Sequence, residues 1–481
     1  MQIEQSLELY INGESRPATS GDRFDTMDPA TGEVLTTVAS AGADDVQTAI
    51  DAAREAQSGW AELPPRERGQ IMFRIAATIR DHAGQLSDLE ATDTGKPLAQ
   101  ARADVEVAAQ YFEFYAGFAD KLYGNTIPMD GSSFAMTFRE PLGVTGHIIP
   151  WNYPIQIAAR TIAPALMVGN TSVVKPAEEA TITSILLARL ATEAGLPPGV
   201  LNMVPGVGEI AGAALANSDD IDHVSFTGGV DTGRLVMAAA SSNLKPITME
   251  LGGKSPSIVL ADADLDRAIP VITKALIQNA GQTCAAGTRA LVHASRHDEL
   301  VDRLVGTFAD VTIGGGLEDP DMGPLISAQQ RDRVLHYLGI AEEEGAEVIS
   351  QVQSERGNGY FVTPTILDDV MPTMRVAREE IFGPVLSVLT FDDEQEALQL
   401  ADATDYGLVT AIWTRDIDRA MWLARHVQSG QVYINSYGAG GGVALPFGGY
   451  RKSGFGREKG LDAVYEYSQT KTISVDVGSP A

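Results

Sequence analysis

The sequence contains very few cysteines: Cys284 is the only one among 481 residues. A single cysteine excludes a disulfide within the chain and a metal site built from several cysteines. We therefore expect no bound metal. We also expect a reducing compartment, the cytoplasm, because structural disulfides are rare there. The first residues, Met1 to Gln5, also lack the basic region and the apolar stretch of a signal peptide.

Basic residues are scarce as well. There are 35 Lys and Arg side chains against 64 Asp and Glu, which gives a formal net charge of −29. Such an acidic chain repels phosphate groups, so nucleic acids and anionic membranes are not expected as partners. Two explanations of the acidity stay open. One is adaptation to a saline host, where carboxylates keep the surface hydrated, and the other is an ordinary acidic surface.

Long apolar runs are missing too. The best candidate for a membrane segment, 147–169, is interrupted by Asn152, Arg160 and three prolines. Hydrophobic residues make up 44% and charged residues 21% of the chain, as in ordinary globular proteins. At about 150 residues per domain, the length corresponds to roughly three structural units.

The first third of the chain is predicted to be helical, because apolar residues recur there at three- and four-residue spacings. The predicted helices are 43–60, 66–94 and 105–122. From residue 143 the pattern changes, and short β-rich runs alternate with helical segments. The predicted strands are 144–149, 171–174, 200–204 and 223–226, with helices at 180–195 and 232–242.

A second series of alternating elements follows Gly253. It comprises a helix at 264–280 that is kinked or restarted at Pro270, a strand at 289–293, and helices at 297–308 and 326–344. Strands that alternate with helices build parallel sheets covered by helices on both faces. We therefore predict an α/β fold with two such layers that meet near Gly252 and Gly253.

Two segments fit neither layer. Residues 123–141 hold Phe134, Met136 and Phe138 in strict alternation, and residues 470–477 alternate as well. Each is predicted to be a half-buried strand outside the main sheets. Such strands need an edge to pair with, and a neighbouring subunit is one candidate. A plain edge hairpin is the alternative.

Cys284 lies just beyond the predicted helix 264–280, in the segment Asn279-Ala-Gly-Gln-Thr-Cys284. By default a single free cysteine is a small buried hydrophobic residue. Here small and polar neighbours allow a ligand to approach the backbone closely, and a thiol in such a loop can be exposed and form a thiolate near neutral pH. From the residues alone, a structural role and a nucleophilic role both stay open.

A nucleophile needs a base, and Glu250 is the candidate. It lies inside an apolar, strand-like run immediately before Gly252 and Gly253. Burial raises the pKa of a carboxyl group toward neutrality, which suits a general base. The alternative is that Glu250 forms an ion pair with nearby Lys254.

Acyl transfer also needs a donor for the developing oxyanion. Asn152 follows the predicted strand 144–149 and lies between Pro150 and Pro154. Ligands of parallel sheets bind at the carboxyl ends of the strands, so this side-chain amide is a candidate donor. An asparagine that merely satisfies a turn is the alternative.

A cofactor site is indicated by glycines between strands and helices. The segment Gly206 to Gly212 has one residue too many for the usual dinucleotide fingerprint, so that motif is absent. The segment Phe226 to Gly233 could offer the start of a helix to a pyrophosphate. Lys175 ends a strand, and Glu178, expected in the first turn of the next helix, suits ribose hydroxyls and would repel a 2′-phosphate. Glu178 could equally serve the helix dipole.

Taken together, these segments resemble the aldehyde dehydrogenase superfamily. The likeness covers roughly residues 9–477, and eight segments occur in the order of that family's signature motifs. They are Pro150-Trp-Asn-Tyr-Pro154, Lys175-Pro-Ala-Glu178, Phe226-Thr-Gly-Gly229, Met249-Glu-Leu-Gly-Gly-Lys254, Gly281-Gln-Thr-Cys284, Glu379-Glu-Ile-Phe-Gly-Pro-Val385, Pro446-Phe-Gly-Gly-Tyr450 and Ser453-Gly-Phe-Gly-Arg-Glu458.

The resemblance implies an NAD-dependent oxidation of an aldehyde to a carboxylic acid. Cys284 would be the nucleophile, Asn152 and the Cys284 amide would hold the oxyanion, and Glu250 would activate water to hydrolyse the thioester. The residues expected against NAD are Ile148, Trp151, Lys175, Glu178, Gly208, Gly229, Gly233, Leu251, Glu380 and Phe382. The residues expected in the substrate pocket are Tyr153, Ile157, Arg160, Thr283, Tyr437 and Phe447.

The resemblance also implies a domain organisation. A Rossmann-type, parallel-sheet cofactor-binding domain would comprise 1–121 and 142–252, and an α/β catalytic domain would comprise 253–445. A small β arm, 122–141 with 466–481, would join subunits into a homodimer or a homotetramer.

The chain departs from the family at two places that matter for ligands. Gly229 stands where many members have serine, so a hydroxyl contact to phosphate is lost while the backbone donor remains. Arg160-Thr161 replaces a Trp-Lys pair. An arginine there occurs in members that act on semialdehyde acids and in members that act on aromatic aldehydes. A second arginine, typical of the succinic semialdehyde type, is replaced here by Gln278.

Three other functions stay open at this point. An enzyme that transfers the acyl group to coenzyme A would not need a water-activating base such as Glu250. A cysteine thioester hydrolase would use Cys284 and Glu250 without a redox step. A binding or structural protein on this fold is disfavoured, because a nucleophile, a base and an oxyanion donor are all present.

Overall fold

The protein is described from a computed structural model, in which the described residues are 4–350, 357–438 and 442–478. Their strands, in chain order, are β1 (Ser6–Leu7), β2 (Leu9–Ile11), β3 (Glu14–Arg16), β4 (Arg23–Met27), β5 (Val34–Ala39), β6 (Thr126–Pro128), β7 (Ser133–Pro141), β8 (Val144–Ile148), β9 (Thr171–Lys175), β10 (Leu201–Met203), β11 (His223–Thr227), β12 (Ile247–Glu250), β13 (Pro256–Val259), β14 (Arg289–His293), β15 (Glu347–Ser350), β16 (Thr365–Asp368), β17 (Val385–Phe391), β18 (Val409–Trp413), β19 (Gln431–Ile434), β20 (Gly454–Phe455) and β21 (Ser468–Asp476).

The α-helices connect these strands. In chain order they are α1 (Ala43–Glu62), α2 (Pro65–Asp81), α3 (Ala83–Thr94), α4 (Leu98–Ala116), α5 (Pro154–Val168), α6 (Ile182–Glu193), α7 (Ala213–Asn217), α8 (Val230–Ala240), α9 (Leu265–Ile277), α10 (His297–Ala309), α11 (Ala328–Glu344), α12 (Arg375–Arg378), α13 (Glu394–Ala401), α14 (Ile417–His426) and α15 (Asp462–Glu466). None of these described helices combines the length and the apolar character that a membrane span requires.

The first large sheet has the strand order β20-β12-β11-β8-β9-β10-β2-β3 within the described residues. Its centre, β12 to β10, is parallel, and antiparallel strands complete both edges. Val173 and Val174, adjacent on β9, belong to two different hydrophobic cores on the two faces of the sheet. Because both faces are buried, the strands read as continuous apolar runs, which is why the sequence predicts them well.

The second large sheet has the order β15-β16-β17-β14-β13-β18-β19, and all of its pairings except β15 with β16 are parallel. Ile258 and Val259, adjacent on β13, again point into different cores. The chain passes from the first sheet to the second between Glu250 and Pro256, around the predicted junction at Gly252 and Gly253.

The two segments outside the main sheets pair with each other. β7 lies between β6 and β21, and the antiparallel register joins Ser133 to Asp476 and Pro141 to Ser468. Phe134 and Phe138 are 38% and 44% exposed, so one face of this three-stranded sheet remains open within the chain. Residues 479–481, the end of the predicted arm, lie outside the described residues.

Helix boundaries differ from the predictions in several places. The predicted helix 66–94 is two helices, because α2 ends at His82 and α3 begins directly after it. The helix predicted at 105–122 runs from Leu98 to Ala116. The predicted restart at Pro270 is wrong, since α9 continues through this proline, close to the amino end of the helix, while a kink there stays a prediction. There the lost backbone hydrogen bond is less disruptive than in the middle of a long helix.

Candidate active site

The candidate residues converge because the carboxyl ends of parallel strands meet at one edge. In register, Ile148 at the end of β8 is the partner of Phe226 on β11, and Thr227 is the partner of Glu250 on β12. The loops after β8 and β11 and the residue that ends β12 are therefore neighbours. The second sheet contributes the loops that precede β14 and β17, which carry Cys284 and Glu380.

A cavity of about 880 Å³ lies where these loops meet. Many of the predicted residues line it: Trp151, Asn152, Tyr153, Ile157, Arg160, Gly229, Glu250, Leu251, Thr283, Cys284, Glu380, Phe382 and Phe447. The other predicted residues are not among its described lining: Ile148, Lys175, Glu178, Gly208, Gly233 and Tyr437.

Cys284 is presented by a tight turn that follows α9. Asn279, Ala280 and Gly281 have φ values of 48°, 53° and 76°, all in the left-handed region. Gly281 has a specific reason to be glycine, because a Cβ there would collide with the backbone of Gly383. This packing holds the segment that carries Cys284 against the loop before β17.

The thiol of Cys284 is half-buried on the cavity wall. Burial raises its pKa to about 12, and the positive charge of Arg160 opposes this shift only in part. In this arrangement burial therefore favours the neutral thiol over the thiolate near neutral pH. The sequence could not show this, because the desolvation comes from residues distant in the chain.

This raised pKa predicts the alkylation behaviour of Cys284. Below the pKa, the thiolate fraction rises about tenfold per pH unit, so labelling by iodoacetamide without cofactor should keep accelerating with pH. The rate can be measured by intact-mass spectrometry, and Cys284 is the only thiol that can react. A plateau reached by about pH 8 would contradict the buried-thiol description.

Glu250 ends β12 and is 1% exposed. Burial and the nearby Glu458 carboxylate raise its pKa well above the usual range, with Arg160, Arg457 and Lys459 opposing. Among the described residues, neither carboxylate oxygen of Glu250 nor the buried Lys254 ammonium has a hydrogen-bond partner. The alternative of a Glu250–Lys254 ion pair is thus wrong, and the carboxyl group is buried at the cavity without a fixed partner.

Asn152 forms hydrogen bonds with a distant segment of the chain and not within the turn that contains it. Its side-chain Nδ2 donates to the backbone carbonyl of Gln282 at 2.9 Å, and its backbone carbonyl accepts from Nδ2 of Asn279 at 2.9 Å. Both partners belong to the segment that leads into Cys284. The amide of Asn152 is therefore held against this segment, on the cavity that Cys284 also lines, and its second N–H can still donate.

The residues of the predicted nucleotide site form a connected set. Lys175 Nζ donates to Glu178 Oε2 at 2.6 Å, and the backbone N–H of Gly208 donates to Glu178 Oε1 at 2.7 Å. Glu178 lies in the loop before α6, which corrects its predicted place in the first helical turn. Gly208 begins one turn of π-helix ahead of α7, as expected of a segment that opens a helix.

The start of α8 faces the same cavity. Gly229 caps this helix, and a Cβ there would meet no described atom within 4 Å, so the backbone is accessible to a ligand. Gly233 instead serves packing, because a Cβ there would collide with the side chain of Leu251. Ile148 is buried at the end of β8.

Trp151, Phe382 and Glu380 form the opposite wall. The rings of Trp151 and Phe382 meet edge to face with centroids 5.4 Å apart. Glu380 Oε1 accepts the backbone N–H of Gly253 at 2.8 Å, and burial raises its pKa to about 7. Flat apolar rings beside a carboxylate suit a heteroaromatic ring attached to a sugar with hydroxyl groups.

Tyr437 lies behind Cys284 and not on the described cavity wall. Its hydroxyl donates to the carbonyl of Ala285 at 2.5 Å, and its ring stacks on Tyr433. By contrast, Tyr153 lines the cavity, and its hydroxyl is within 2.7 Å of Thr283 Oγ1 and 2.8 Å of Gln278 Nε2.

Several cavity residues were not predicted. One face of α4 contributes Asp104, Val107 and Tyr111. The cavity is also lined by Glu179 and Lys459, and Glu458 adjoins it through its ion pair with Arg160. The α4 residues have helical spacing, which predicts a shared face but not that it faces the cavity. Glu458 ends the last signature motif, yet its role depends on a partner almost 300 residues away.

The fold and the cavity describe an α/β enzyme with one cysteine, one buried carboxyl group and one fixed amide at the junction of two parallel sheets. A model of the aldehyde dehydrogenase family matches residues 16–473. DhaS of Bacillus subtilis (strain 168), which carries the name of an aldehyde dehydrogenase, is 40% identical over 489 residues, covering 99% of each chain.

Solved structures agree with this match. An aldehyde dehydrogenase of Bacillus cereus in an NAD+ complex is 40% identical, with a TM-score of 0.96, and the likeness covers 98% of this chain and 97% of that one. PnpE of Pseudomonas sp. WBC-3, in complex with nicotinamide adenine dinucleotide, is 37% identical, with a TM-score of 0.97 and 99% of both chains covered. The chain belongs to the aldehyde dehydrogenase family, and the predicted fold class and family are confirmed.

Proposed function

We propose that this chain oxidises an aldehyde irreversibly to a carboxylic acid, with NAD as the oxidant and with a thiohemiacetal and a thioester on Cys284 as intermediates. The observation that supports this most directly is the convergence of Cys284, Glu250 and Asn152 on one cavity. A nucleophile, a base and an oxyanion donor are the three groups that acyl chemistry on a thiol requires. The test is NADH formation with a panel of semialdehyde acids and of aromatic and aliphatic aldehydes.

The residues present fit NAD. Trp151, Phe382 and Glu380 provide the wall for the nicotinamide and its ribose, and the exposed backbone at Gly229 provides donors at the start of α8 for the pyrophosphate. Lys175, Glu178 and Gly208 are assigned to the adenosine side of the cofactor. When bound, oxidised nicotinamide would be the acceptor of the hydride from the aldehyde carbon.

Cys284 begins the reaction by adding its sulfur to the aldehyde carbon, after its proton has passed to water. The carbonyl oxygen becomes an oxyanion, which the second N–H of Asn152 and the Cys284 backbone amide stabilise. Loss of hydride from that carbon leaves a thioester, with the carbonyl restored. Glu250 then takes a proton from water, and the hydroxyl adds to the thioester. The carbon–sulfur bond breaks to release the acid and the Cys284 thiolate, which takes up the proton held by Glu250.

The preference for NAD over NADP is proposed from Glu178. Its carboxylate is held in place by Lys175 and Gly208, so its acceptor oxygens suit ribose hydroxyl donors and have no hydrogen to offer the oxygens of a 2′-phosphate. We expect wild type to have the higher kcat/KM with NAD, and Glu178→Gln to raise the NADP/NAD ratio by about tenfold or more. Preference of the wild type for NADP would contradict this assignment.

Two other functions can be distinguished from the proposed one by experiment: acyl transfer to coenzyme A and thioester hydrolysis without a redox step. Transfer to coenzyme A would give an acyl-CoA product when coenzyme A is added, whereas hydrolysis gives only free acid. A thioester hydrolase would cleave thioesters without any requirement for nicotinamide. The buried carboxyl of Glu250 supports hydrolysis after oxidation, because water is the acceptor that needs a base.

We also propose a homodimer or a homotetramer in the cytoplasm. The sheet of β6, β7 and β21 exposes Phe134, Phe138 and Ile473, apolar side chains that a second subunit would cover. A reducing compartment would keep Cys284 as a thiol. Light scattering in solution tests the assembly.

The substrate is proposed to be a semialdehyde acid or an aromatic aldehyde.

A further inference from the structure

Arg160, the cation of the cavity wall, already has a carboxylate partner inside the protein. Its Nε lies 2.5 Å from Glu458 Oε2, and its Nη2 donates to Thr227 Oγ1 at 3.2 Å. The guanidinium also lies over the ring of Phe447, 5.4 Å from the ring centroid. Arg160 and Glu458 are 8% and 1% exposed, so this ion pair is shielded from water.

Glu458 cannot easily give up this position. Its Oε1 accepts a hydrogen bond from Ser225 Oγ at 3.0 Å. Its backbone exchanges two hydrogen bonds with Phe447, at 2.6 and 2.8 Å. A buried guanidinium with a fixed carboxylate is compensated in charge, and a substrate carboxylate would have to compete with that internal partner.

The α4 wall of the cavity carries a second buried cluster, in which acidic groups predominate. Lys96 Nζ lies 2.7 Å from Asp104 Oδ2 and 3.1 Å from Glu90 Oε1. Two carboxyl groups therefore share one ammonium, and Asp104 itself lines the cavity. An anionic substrate would meet repulsion from this wall.

The remaining charges do not reverse this balance. Lys459 lies over the ring of Phe447 at 5.3 Å, and burial together with Arg160 lowers its pKa to about 7. The other charged residues of the described lining are Glu179, Asp231, Arg333, Glu379 and Glu380. Counted with the two clusters, Glu250 and Lys459, the described residues supply eight carboxyl groups and four basic groups. The cavity therefore has no excess of positive charge to attract a carboxylate.

The walls between the clusters are aromatic. Tyr111, Tyr153 and Phe447 line the cavity, and the Tyr153 hydroxyl is tied to Thr283 and Gln278. Rings held in this way offer flat apolar faces, which match an aromatic ligand better than a flexible charged one.

From these observations we infer that, given the proposed function, the substrate is an uncharged aromatic aldehyde and Arg160 is a positioning residue for Glu458 and Cys284, not a binder of a substrate carboxylate. This inference chooses between the two substrate classes that the sequence leaves open. It also explains why the second arginine of a carboxylate clamp is absent at Gln278.

The test compares kcat/KM for benzaldehyde and for succinic semialdehyde in matched variants. Wild type should prefer benzaldehyde. The double variant Arg160→Met/Glu458→Gln, which removes both charges of the ion pair, should change the ratio of the two constants by less than about threefold, because no substrate contact is lost. Glu458→Gln, which keeps the size of the side chain, should release the guanidinium and raise the relative constant for succinic semialdehyde about tenfold. The double variant should lose that gain.

A positioning role has its own readout. Arg160 and Cys284 line the same cavity, and the guanidinium is the positive charge that opposes the raised pKa of the Cys284 thiol. Arg160→Met should therefore shift the pH profile of Cys284 alkylation to higher pH, and Arg160→Lys should restore it. Thermal unfolding of each variant identifies any that fail to fold. If Arg160→Met fails to fold, Arg160→Lys still allows the test to be decided.

Three results would overturn the inference. They are a preference of wild type for succinic semialdehyde, a selective loss of that activity in the double variant Arg160→Met/Glu458→Gln, or an unchanged ratio in Glu458→Gln. Failure of the proposed function looks different, since wild type would then form no NADH with any aldehyde in the panel.

Discussion

Replacing Cys284 by alanine is expected to lower kcat for NADH formation by at least about 10⁴-fold, the scale of losses when a catalytic nucleophile is removed. The reason is structural. Cys284 is the only cysteine in the chain, and its sulfur shares one cavity with Glu250 and Asn152. No second thiol can form the thioester in its place. The measurement is absorbance of NADH under saturating aldehyde and NAD.

Two controls separate lost chemistry from lost structure. Cys284→Ala should bind NAD with nearly unchanged affinity, because the cofactor wall of Trp151, Glu380 and Phe382 does not include the sulfur. Cys284→Ser, which differs from wild type by one atom, should be almost as inactive because its hydroxyl is a much weaker nucleophile. If Cys284→Ala kept turnover within about tenfold of wild type, the nucleophile assignment would be wrong.

Replacing Glu250 by glutamine is expected to reduce steady-state kcat by about 10²- to 10⁴-fold while a rapid burst of NADH persists. Glu250 is assigned to the hydrolysis of the thioester, so its loss should trap the enzyme after hydride transfer. Stopped-flow absorbance measures the burst, which should approach one NADH per active site. Loss of the burst together with turnover would place Glu250 in the first half of the reaction instead.

The pH dependence of kcat tests the same role of Glu250 as a base. Burial raises the pKa of Glu250, so its protonated, inactive form persists to higher pH than in a free glutamate. The kcat of wild type should therefore rise with pH through that raised pKa, and this limb should disappear in Glu250→Gln. Glu343→Gln, an exposed change of the same type on α11, should leave both burst and pH profile unchanged.

The parts of the site that local sequence predicts are those formed by strand ends. β8, β9 and β11 are buried on both faces, so they appear as apolar runs, and the residues after them mark the ligand edge. This is how Asn152 and Lys175 could be located from the residues. The cysteine loop could be located because small and polar residues follow an amphipathic helix.

Other features depend on contacts between distant segments, which local spacing does not encode. The pairing of Arg160 with Glu458 joins α5 to a loop near the end of the chain. The high pKa of Cys284 depends on burial by several elements. The break at His82 and the uninterrupted α9 show the same limit for helices, because tertiary packing decides where a periodic segment ends.

The proposed reaction depends most on covalent chemistry at one sulfur, and mass spectrometry tests this directly. Glu250→Gln would be mixed with an aromatic aldehyde and NAD, quenched in acid during the NADH burst, and digested. We predict that the peptide containing Cys284 carries the mass of the acyl group, and that omitting NAD abolishes this adduct. A full burst of NADH with an unmodified Cys284 peptide would contradict the thioester mechanism.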